Sequence, residues 1–240
     1  MHRAQVVMLT AVLAVVGMLA AWPAFATTVT VDGDLSDWGV AAATTVNGND
    51  WTPASGISWW SEDSVRSDGY VGPGYGGQNS DIEALYALVE GDTLYVAIAT
   101  GIEQSGLRSG GRTFLPGDLF VDFGDDDWDL AVGTGGAHAA GSLWTGAGTW
   151  WRNPDSDMFP ASGPYAANGT AVAAGSALDF VYTDVIPGRE SGDRARDHNV
   201  IELALTLSAD QLLSYREGGL SLHWTLQCGN DVAGLYCPAP

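Results

Sequence analysis

The sequence predicts an all-β protein, an antiparallel β-sandwich of the jelly-roll kind, and three observations lead to this class. The apolar runs are short and rich in β-branched and aromatic residues, turn residues separate them, and helical periodicity is almost absent. The 32 glycines among 240 residues leave a large share of the chain to turns. We therefore expect short strands, long loops rich in Gly and Trp, and one short helix.

The strand pattern recurs in seven segments, which in chain order read TTVTVDG, DIEALYALV, DTLYVAIATG, DLFVDFG, LDFVYTDV, NVIELALTL and LSLHWTLQC. The second and third flank Glu90-Gly91-Asp92, which predicts a hairpin that turns at these residues. Both of its strands are apolar at nearly every position, so we expect both faces to be covered and the hairpin to be central. Residues 208–216 form the predicted helix, with Ser208 as N-cap and Gly218 just past its end.

The N-terminus predicts export. Residues 1–26 combine a short basic start, an apolar run of about 16 residues and Ala24-Phe25-Ala26 as a small-x-small cleavage signal. A membrane anchor is the alternative for this stretch, but a spanning helix needs roughly 20 apolar residues. We predict a signal peptide that is cleaved near Ala26, followed by a single domain over residues 27–240 that is secreted, extracellular or periplasmic.

The charge balance excludes several classes of partner. The chain has a formal charge of −20, and all 29 acidic residues follow Ala26 whereas Arg3 precedes it. Nucleic acids and anionic membranes need basic contacts, so we expect neither, and we expect no membrane insertion of the mature chain. An acidic extracellular chain of this kind can hold divalent cations.

Two cysteines, Cys228 and Cys237, are the only ones in the chain. In an oxidising compartment we expect a disulfide between them. Two thiols with no histidine between or next to them do not make a zinc site.

Residues 121–130, VDFGDDDWDL, place five aspartates within eight residues without a basic partner. Asp125, Asp127 and Asp129 have the spacing of the first three ligands of a calcium loop, but Leu130 and Gly136 stand where an EF-hand needs Gly and Glu. A Ca2+ site would therefore need carboxylates distant in sequence; the alternative is an acidic turn in solvent. The neighbouring predicted strands supply the candidate ligands Asp81, Glu83, Asp118 and Asp122. Asp81 and Glu83 are two apart at a strand start, so we expect them on one face.

Several blocks carry a resemblance to a known family. VDGDLSDW, residues 31–38, resembles the opening strand and turn of family 9 carbohydrate-binding modules and their DOMON-like relatives, and NVIELALTLSADQL, residues 199–212, is similar to their late strand and following turn. DIEALYALVEGDTLYVAIATG, PGDLFVDFG and LHWTLQCGNDV resemble secreted bacterial proteins, many with a PEP-CTERM sorting tail. This chain ends at CPAP instead, so we expect release unless a partner retains it. The resemblance implies a sandwich with structural calcium and tryptophans that grip a sugar.

VDGDLSDW also has a structural interpretation. The turn at Asp32-Gly33-Asp34 can close through carboxylates that accept backbone N–H groups, Asp37 can cap the next turn, and Trp38 can pack beneath the sheet. We expect this segment to be scaffold rather than ligand site.

Tryptophans in two long irregular stretches, residues 47–80 and 133–175, are the candidate sugar-binding residues. An exposed indole offers a flat apolar face to a sugar ring, and nearby polar groups bond its hydroxyls. In adjacent pairs, alternation turns one ring inward and one outward. The alternative is that these indoles close the ends of the core. The predicted sugar-binding residues are Trp59, Trp60, Trp144, Trp150, Trp151 and Arg152.

These patterns predict a secreted, calcium-stabilised, non-catalytic protein that binds a polysaccharide or cell-surface glycan. The alternative is a structural or adhesive protein whose Gly-rich loops contact a protein partner at the cell surface. A glycoside hydrolase using Asp81 and Glu83 has less support, since their spacing also arises by chance. A haem-binding domain also has less support, because Met158 is the only methionine after the signal peptide that could serve as an axial ligand. We expect His223 in the core and place His138 and His198 in loops.

Overall fold

A computed structural model describes residues 29–40, 51–62, 65–124, 127–145, 162–172, 178–186 and 198–240. Several sequence predictions lie outside these ranges, namely the signal peptide and those on Asp125, Trp150, Trp151, Arg152 and Met158.

The described residues form two antiparallel sheets, a separate hairpin and one α-helix, which confirms the all-β sandwich class. The strands are β1 (Ser58–Ser61), β2 (Ile82–Glu90), β3 (Thr93–Thr100), β4 (Leu107–Ser109), β5 (Arg112–Phe114), β6 (Leu119–Asp122), β7 (Leu130–Val132), β8 (Leu143–Thr145), β9 (Thr170–Ala171), β10 (Leu178–Ile186), β11 (His198–Thr206), β12 (Leu220–Thr225) and β13 (Val232–Cys237). The first sheet has the order β1-β2-β3-β11-β10 and the second β13-β12-β6-β7-β8-β9, while β4 and β5 pair with each other.

Alternation along the strands divides the apolar residues into layers. On β3, Leu94, Val96 and Ile98 belong to the core between the sheets, whereas Ala97 and Ala99 belong to a second cluster on the outer face of the first sheet. Strands β6 and β12 of the second sheet send their own alternate residues into the same central core. Because successive side chains of a strand point to opposite faces, a strand with apolar residues at successive positions contributes to both layers.

The central hairpin forms as predicted. Glu90 pairs with Thr93 across a two-residue loop, in which Gly91 has a φ of 65°. Strands β2 and β3 are interior strands of the first sheet, and apolar clusters cover both of their faces. This double coverage explains why the two strands are apolar at nearly every position.

The segment at residues 31–38 is scaffold, also as predicted. Asp32 and Asp34 each accept a backbone N–H from two residues further on, at 2.9 Å. Asp37 Oδ2 accepts the N–H of Thr30 at 2.6 Å, and Trp38 is fully buried against the first sheet. Short Asx turns therefore shape the segment, and one large indole docks it.

The predicted helix is α1 (Ala209–Gly218), which ends two residues later than expected. Ser208 caps its N-terminus in a capping box with Gln211, and Gly219, with a φ of 80°, is its C-cap. Within the described ranges, no helix is long and apolar enough to cross a bilayer.

The disulfide prediction is wrong: Cys228 and Cys237 are buried free thiols. Cys228 lies in the turn that follows Thr225, whereas Cys237 lies at the far end of β13, opposite Leu220. From Val232 to Cys237 the strand advances by about 17 Å. A disulfide needs Cα atoms within about 7 Å, so an extended hairpin holds the two sulfurs apart.

Candidate functional site

The outer face of the second sheet carries a row of large side chains. Backbone register places His223 of β12 beside Phe120 of β6, Phe120 beside Ala131 of β7, and Ala131 beside Trp144 of β8. These residues share one face because their neighbours along the same strand, such as Leu119 and Val121 on either side of Phe120, enter the central core. We call Phe120, Trp128, His138, Trp144 and His223 the aromatic face.

Two half-buried tryptophans pack on this face. Trp128 and Trp144 both contact the small cluster of Phe120, Ala131 and Ala167. The Trp128 ring lies 5.7 Å from Phe120 and 5.6 Å from His223, measured between ring centroids. Each indole therefore rests on a buried apolar floor and keeps part of its surface in solvent.

His223 belongs to the floor rather than to the accessible surface. Its Nε2 lies 3.0 Å from the Pro164 carbonyl oxygen, and the ring is buried. Burial lowers the pKa of His223 to about 4, so the ring is neutral at physiological pH. The prediction that this histidine is a core residue is confirmed.

His138 and Asp118 form a hydrogen-bonded pair at the edge of the aromatic face. Nδ1 of His138 lies 2.7 Å from Asp118 Oδ2, and the His138 ring centroid is 3.9 Å from that of Trp144. The backbone N–H of Ala167 donates to the same Oδ2 at 2.8 Å. One ring face and the Nδ1 edge are thus constrained, while 18% of the His138 side chain stays exposed.

Asp118 is fully buried beneath this histidine. Burial raises its pKa, and the bonds from Ala167 and His138 act in the opposite direction. Its second oxygen, Oδ1, has no hydrogen-bond partner among the described residues. Such a carboxyl group fixes the orientation of the imidazole through its bond to Nδ1.

Trp59 and Trp60 lie far from the aromatic face. Trp60 packs into the central core, and Trp59, 41% exposed, lies on the outer face of the first sheet opposite Tyr86. The expected alternation of adjacent tryptophans is therefore confirmed for this pair. Because the two outer faces point in opposite directions, Trp59 and Trp144 do not contribute to one site.

Asp81 and Glu83 enter two separate buried environments. The ladder shifts register between Ile82 and Ala84, so a bulge at Glu83 interrupts the expected alternation. Glu83 bonds to Gln78 and, at 2.8 Å, to Nε2 of His198. Asp81 instead lies near Asp231, whose pKa its charge raises. His198 is also not a loop residue, since it begins β11 and is fully buried.

The carboxylates of the acidic segment are likewise divided. Asp118 precedes β6 and Asp122 ends it, which separates them by about 13 Å along the strand. Asp122 Oδ1 accepts the N–H of Gly124 at 2.7 Å, and Asp129 Oδ2 accepts that of Phe123 at 2.8 Å. Asp127 caps its own turn through the N–H of the following residue at 3.0 Å.

No group of three or more His, Cys, Asp and Glu side chains in the described ranges is placed to hold a metal ion. The calcium site stays a prediction, because Asp125 lies outside those ranges.

Sequence reasoning missed four residues that the structure places at the candidate site or at anchoring positions: Trp128, His138, Glu202 and Asp231. Trp128 lies within the acidic segment, residues 121–130, that supplies candidate calcium ligands. Glu202 interrupts the apolar strand NVIELALTL, and a lone acid in a strand of that composition is a usable signal of a buried partner. The Glu202 carboxylate accepts the backbone N–H groups of Asp32 and Gly33, at 3.1 and 2.5 Å, and the Trp38 indole N–H at 2.6 Å.

Comparisons with protein-family models, with curated proteins and with solved structures find no match to this chain. The resemblance to family 9 carbohydrate-binding modules therefore stays a prediction.

Proposed function

We propose that this protein is a secreted, non-catalytic carbohydrate-binding protein whose site is the aromatic face. The observation that carries the proposal is the presence of two half-buried tryptophans and an oriented, partly exposed histidine on one face of one sheet. Trp144 was among the residues that the sequence marked for sugar contact, and the structure adds Trp128 and His138 beside it.

The physical fit is to a ring with one apolar side and several hydroxyls. A pyranose presents C–H groups on its faces, which pack on an indole, while its hydroxyls need hydrogen-bonding groups placed at the rim. Trp128 and Trp144 supply indole surface, and His138 supplies a ring nitrogen next to Trp144. The floor of Phe120 and Ala131 keeps both indoles in fixed orientations, which limits the entropy lost on binding.

The test is binding to a panel of soluble polysaccharides by affinity electrophoresis and isothermal titration calorimetry. We expect Trp144→Ala and Trp128→Ala each to weaken binding at least tenfold while circular dichroism and the unfolding transition keep their shape. Trp59→Ala is the matched control, because it removes an exposed tryptophan from the opposite outer face. We expect this control to bind as the wild type does.

Two results would contradict the proposal in different ways. Binding that survives both aromatic-face substitutions and is lost in Trp59→Ala would move the site to the first sheet. Absence of binding to every polysaccharide, combined with specific retention of a protein partner, would favour the adhesive alternative.

A further inference from the structure

We propose that His138 accepts a hydrogen bond through Nε2 from a hydroxyl of an uncharged sugar, and that Asp118 is the positioning residue that fixes this role. The inference rests on the proposed function and deepens it, since it names a specificity-determining atom and a ligand class.

The first step concerns which nitrogen of His138 carries the proton. Asp118 Oδ2 already accepts the N–H of Ala167 at 2.8 Å, so this oxygen is oriented as an acceptor toward Nδ1, 2.7 Å away. A neutral imidazole that donates through Nδ1 keeps its lone pair on Nε2. No described residue hydrogen-bonds to Nε2 of His138, and the side chain reaches solvent.

The second step concerns which side chain lies beside the imidazole. The His138 ring lies against Trp144, with 3.9 Å between ring centroids and 44° between ring planes. Trp144 is held in turn by its Nε1–H bond to Ser142 Oγ at 3.1 Å. A sugar ring that packs on the exposed part of Trp144 is therefore a neighbour of the imidazole, and its hydroxyls are the groups that can donate to Nε2.

The third step concerns ligand charge. Asp118 places a carboxyl group directly under the histidine, and Asp127 and Asp129 are the sequence neighbours of Trp128. The whole chain has a formal charge of −20. An acidic polysaccharide would bring its carboxylates or sulfates toward like charges, and this repulsion selects against it. A neutral polysaccharide meets no such penalty.

The first measurement is the tautomer, read from long-range ¹H–¹⁵N spectra of histidine side chains. We expect His138 to be protonated at Nδ1 in the wild type. Asp118→Asn keeps an oxygen that can accept from both Ala167 and Nδ1, so we expect the tautomer to persist. Asp118→Ala removes the acceptor, and we expect a mixture of tautomers. An Nε2-protonated neutral ring in the wild type would overturn the inference.

The second measurement is calorimetric binding to a neutral soluble glucan and to polygalacturonate. We expect the neutral polymer to bind and the acidic one not to bind. His138→Phe keeps a ring against Trp144 but has no lone pair, and we expect about a tenfold loss of affinity, the factor of one hydrogen bond. Asp118→Ala should lose a similar factor, and Asp118→Asn should retain most of the affinity.

The outcomes separate the two proposals. Preference for polygalacturonate, or unchanged affinity in His138→Phe, overturns this inference and leaves a carbohydrate-binding protein. Binding of neither polymer, together with none in the wider polysaccharide panel, overturns the proposed function, and the inference about the ligand falls with it.

Discussion

Asp231 joins the two sheets through its buried carboxyl group. Its Oδ2 accepts the N–H of Ile82, the first residue of β2, at 2.5 Å, and its Oδ1 accepts the N–H of Val232, the first residue of β13, at 2.7 Å. Burial raises its pKa to about 9, and the charges of Asp81 and Glu62 add to this effect. In the folded protein the group therefore holds a proton at neutral pH.

The size of the resulting pH dependence follows from proton linkage. In the unfolded chain the carboxyl has the ordinary pKa of 3.8, so between pH 3.8 and about 9 the folded state binds one proton more. The free energy of unfolding then falls by about 1.4 kcal/mol for each pH unit. This stabilisation is fully present below pH 3.8 and is lost as the pH rises through about 9.

Asp231→Asn removes that proton and should flatten the profile. We expect urea unfolding at pH 5, 6, 7 and 8 to give a slope that is less negative than the wild-type slope by about 1.4 kcal/mol per pH unit. At low pH the variant should be less stable by about 1 to 3 kcal/mol, because its amide NH2 faces a backbone N–H that needs an acceptor. At about 1.4 kcal/mol per pH unit a deficit of this size at pH 5 is recovered within about one to two pH units, so the two curves should cross and the variant should be the more stable at pH 8.

An exposed carboxyl supplies the control for this experiment. Asp210→Asn, in the first turn of α1, changes the formal charge by the same amount without a buried group. We expect its slope to match that of the wild type. If Asp231→Asn also keeps the wild-type slope, Asp231 is ionised in the folded protein and the reasoning about its burial is wrong.

Three further predictions test other features. Gly33→Ala should destabilise the fold by about 2 kcal/mol or more, since φ is +84° and a Cβ would lie 2.1 Å from Thr183 Cγ2; Gly91→Ala, in open space at a φ of +65°, should cost only about 1 kcal/mol. Thiol titration in denaturant should find both Cys228 and Cys237 free, and a reducing agent should leave the melting temperature unchanged. To test the calcium prediction, EDTA should lower the melting temperature by several degrees and added Ca2+ should restore it. An unchanged melting temperature in EDTA would refute the predicted calcium site.

Local patterns made much of the fold predictable. Alternation and turn residues indicated the β2–β3 hairpin, and the Ser208 cap indicated α1, because each depends on neighbours within a few residues. The disulfide prediction was wrong because it followed from the expected oxidising compartment and the presence of two cysteines, whereas strand geometry extends the hairpin between Cys228 and Cys237. Local spacing gives distance only when the local conformation is known.

The candidate site was predictable only in part. Trp144 stood out as an aromatic residue in a long loop region, but its neighbours come from β6, β7 and β12, and only the sheet order places them side by side. His138 likewise gains its orientation from Asp118, 20 residues earlier in the chain. The bulge at Glu83 is a further example, since one extra residue in the ladder cancels the alternation that grouped it with Asp81.

The bond between Glu202 and the N-terminal segment sets an order of assembly. Asp32 is held by a residue 170 positions later, so the hydrogen bonds that anchor residues 31–38 cannot form until β11 has been made. Until then Leu35 and Trp38 can cover β2 and β3 only through apolar contacts with residues such as Tyr86. The apolar outer surface of these two strands is therefore least protected while the chain is incomplete, and this interval is when the nascent protein is most exposed to aggregation.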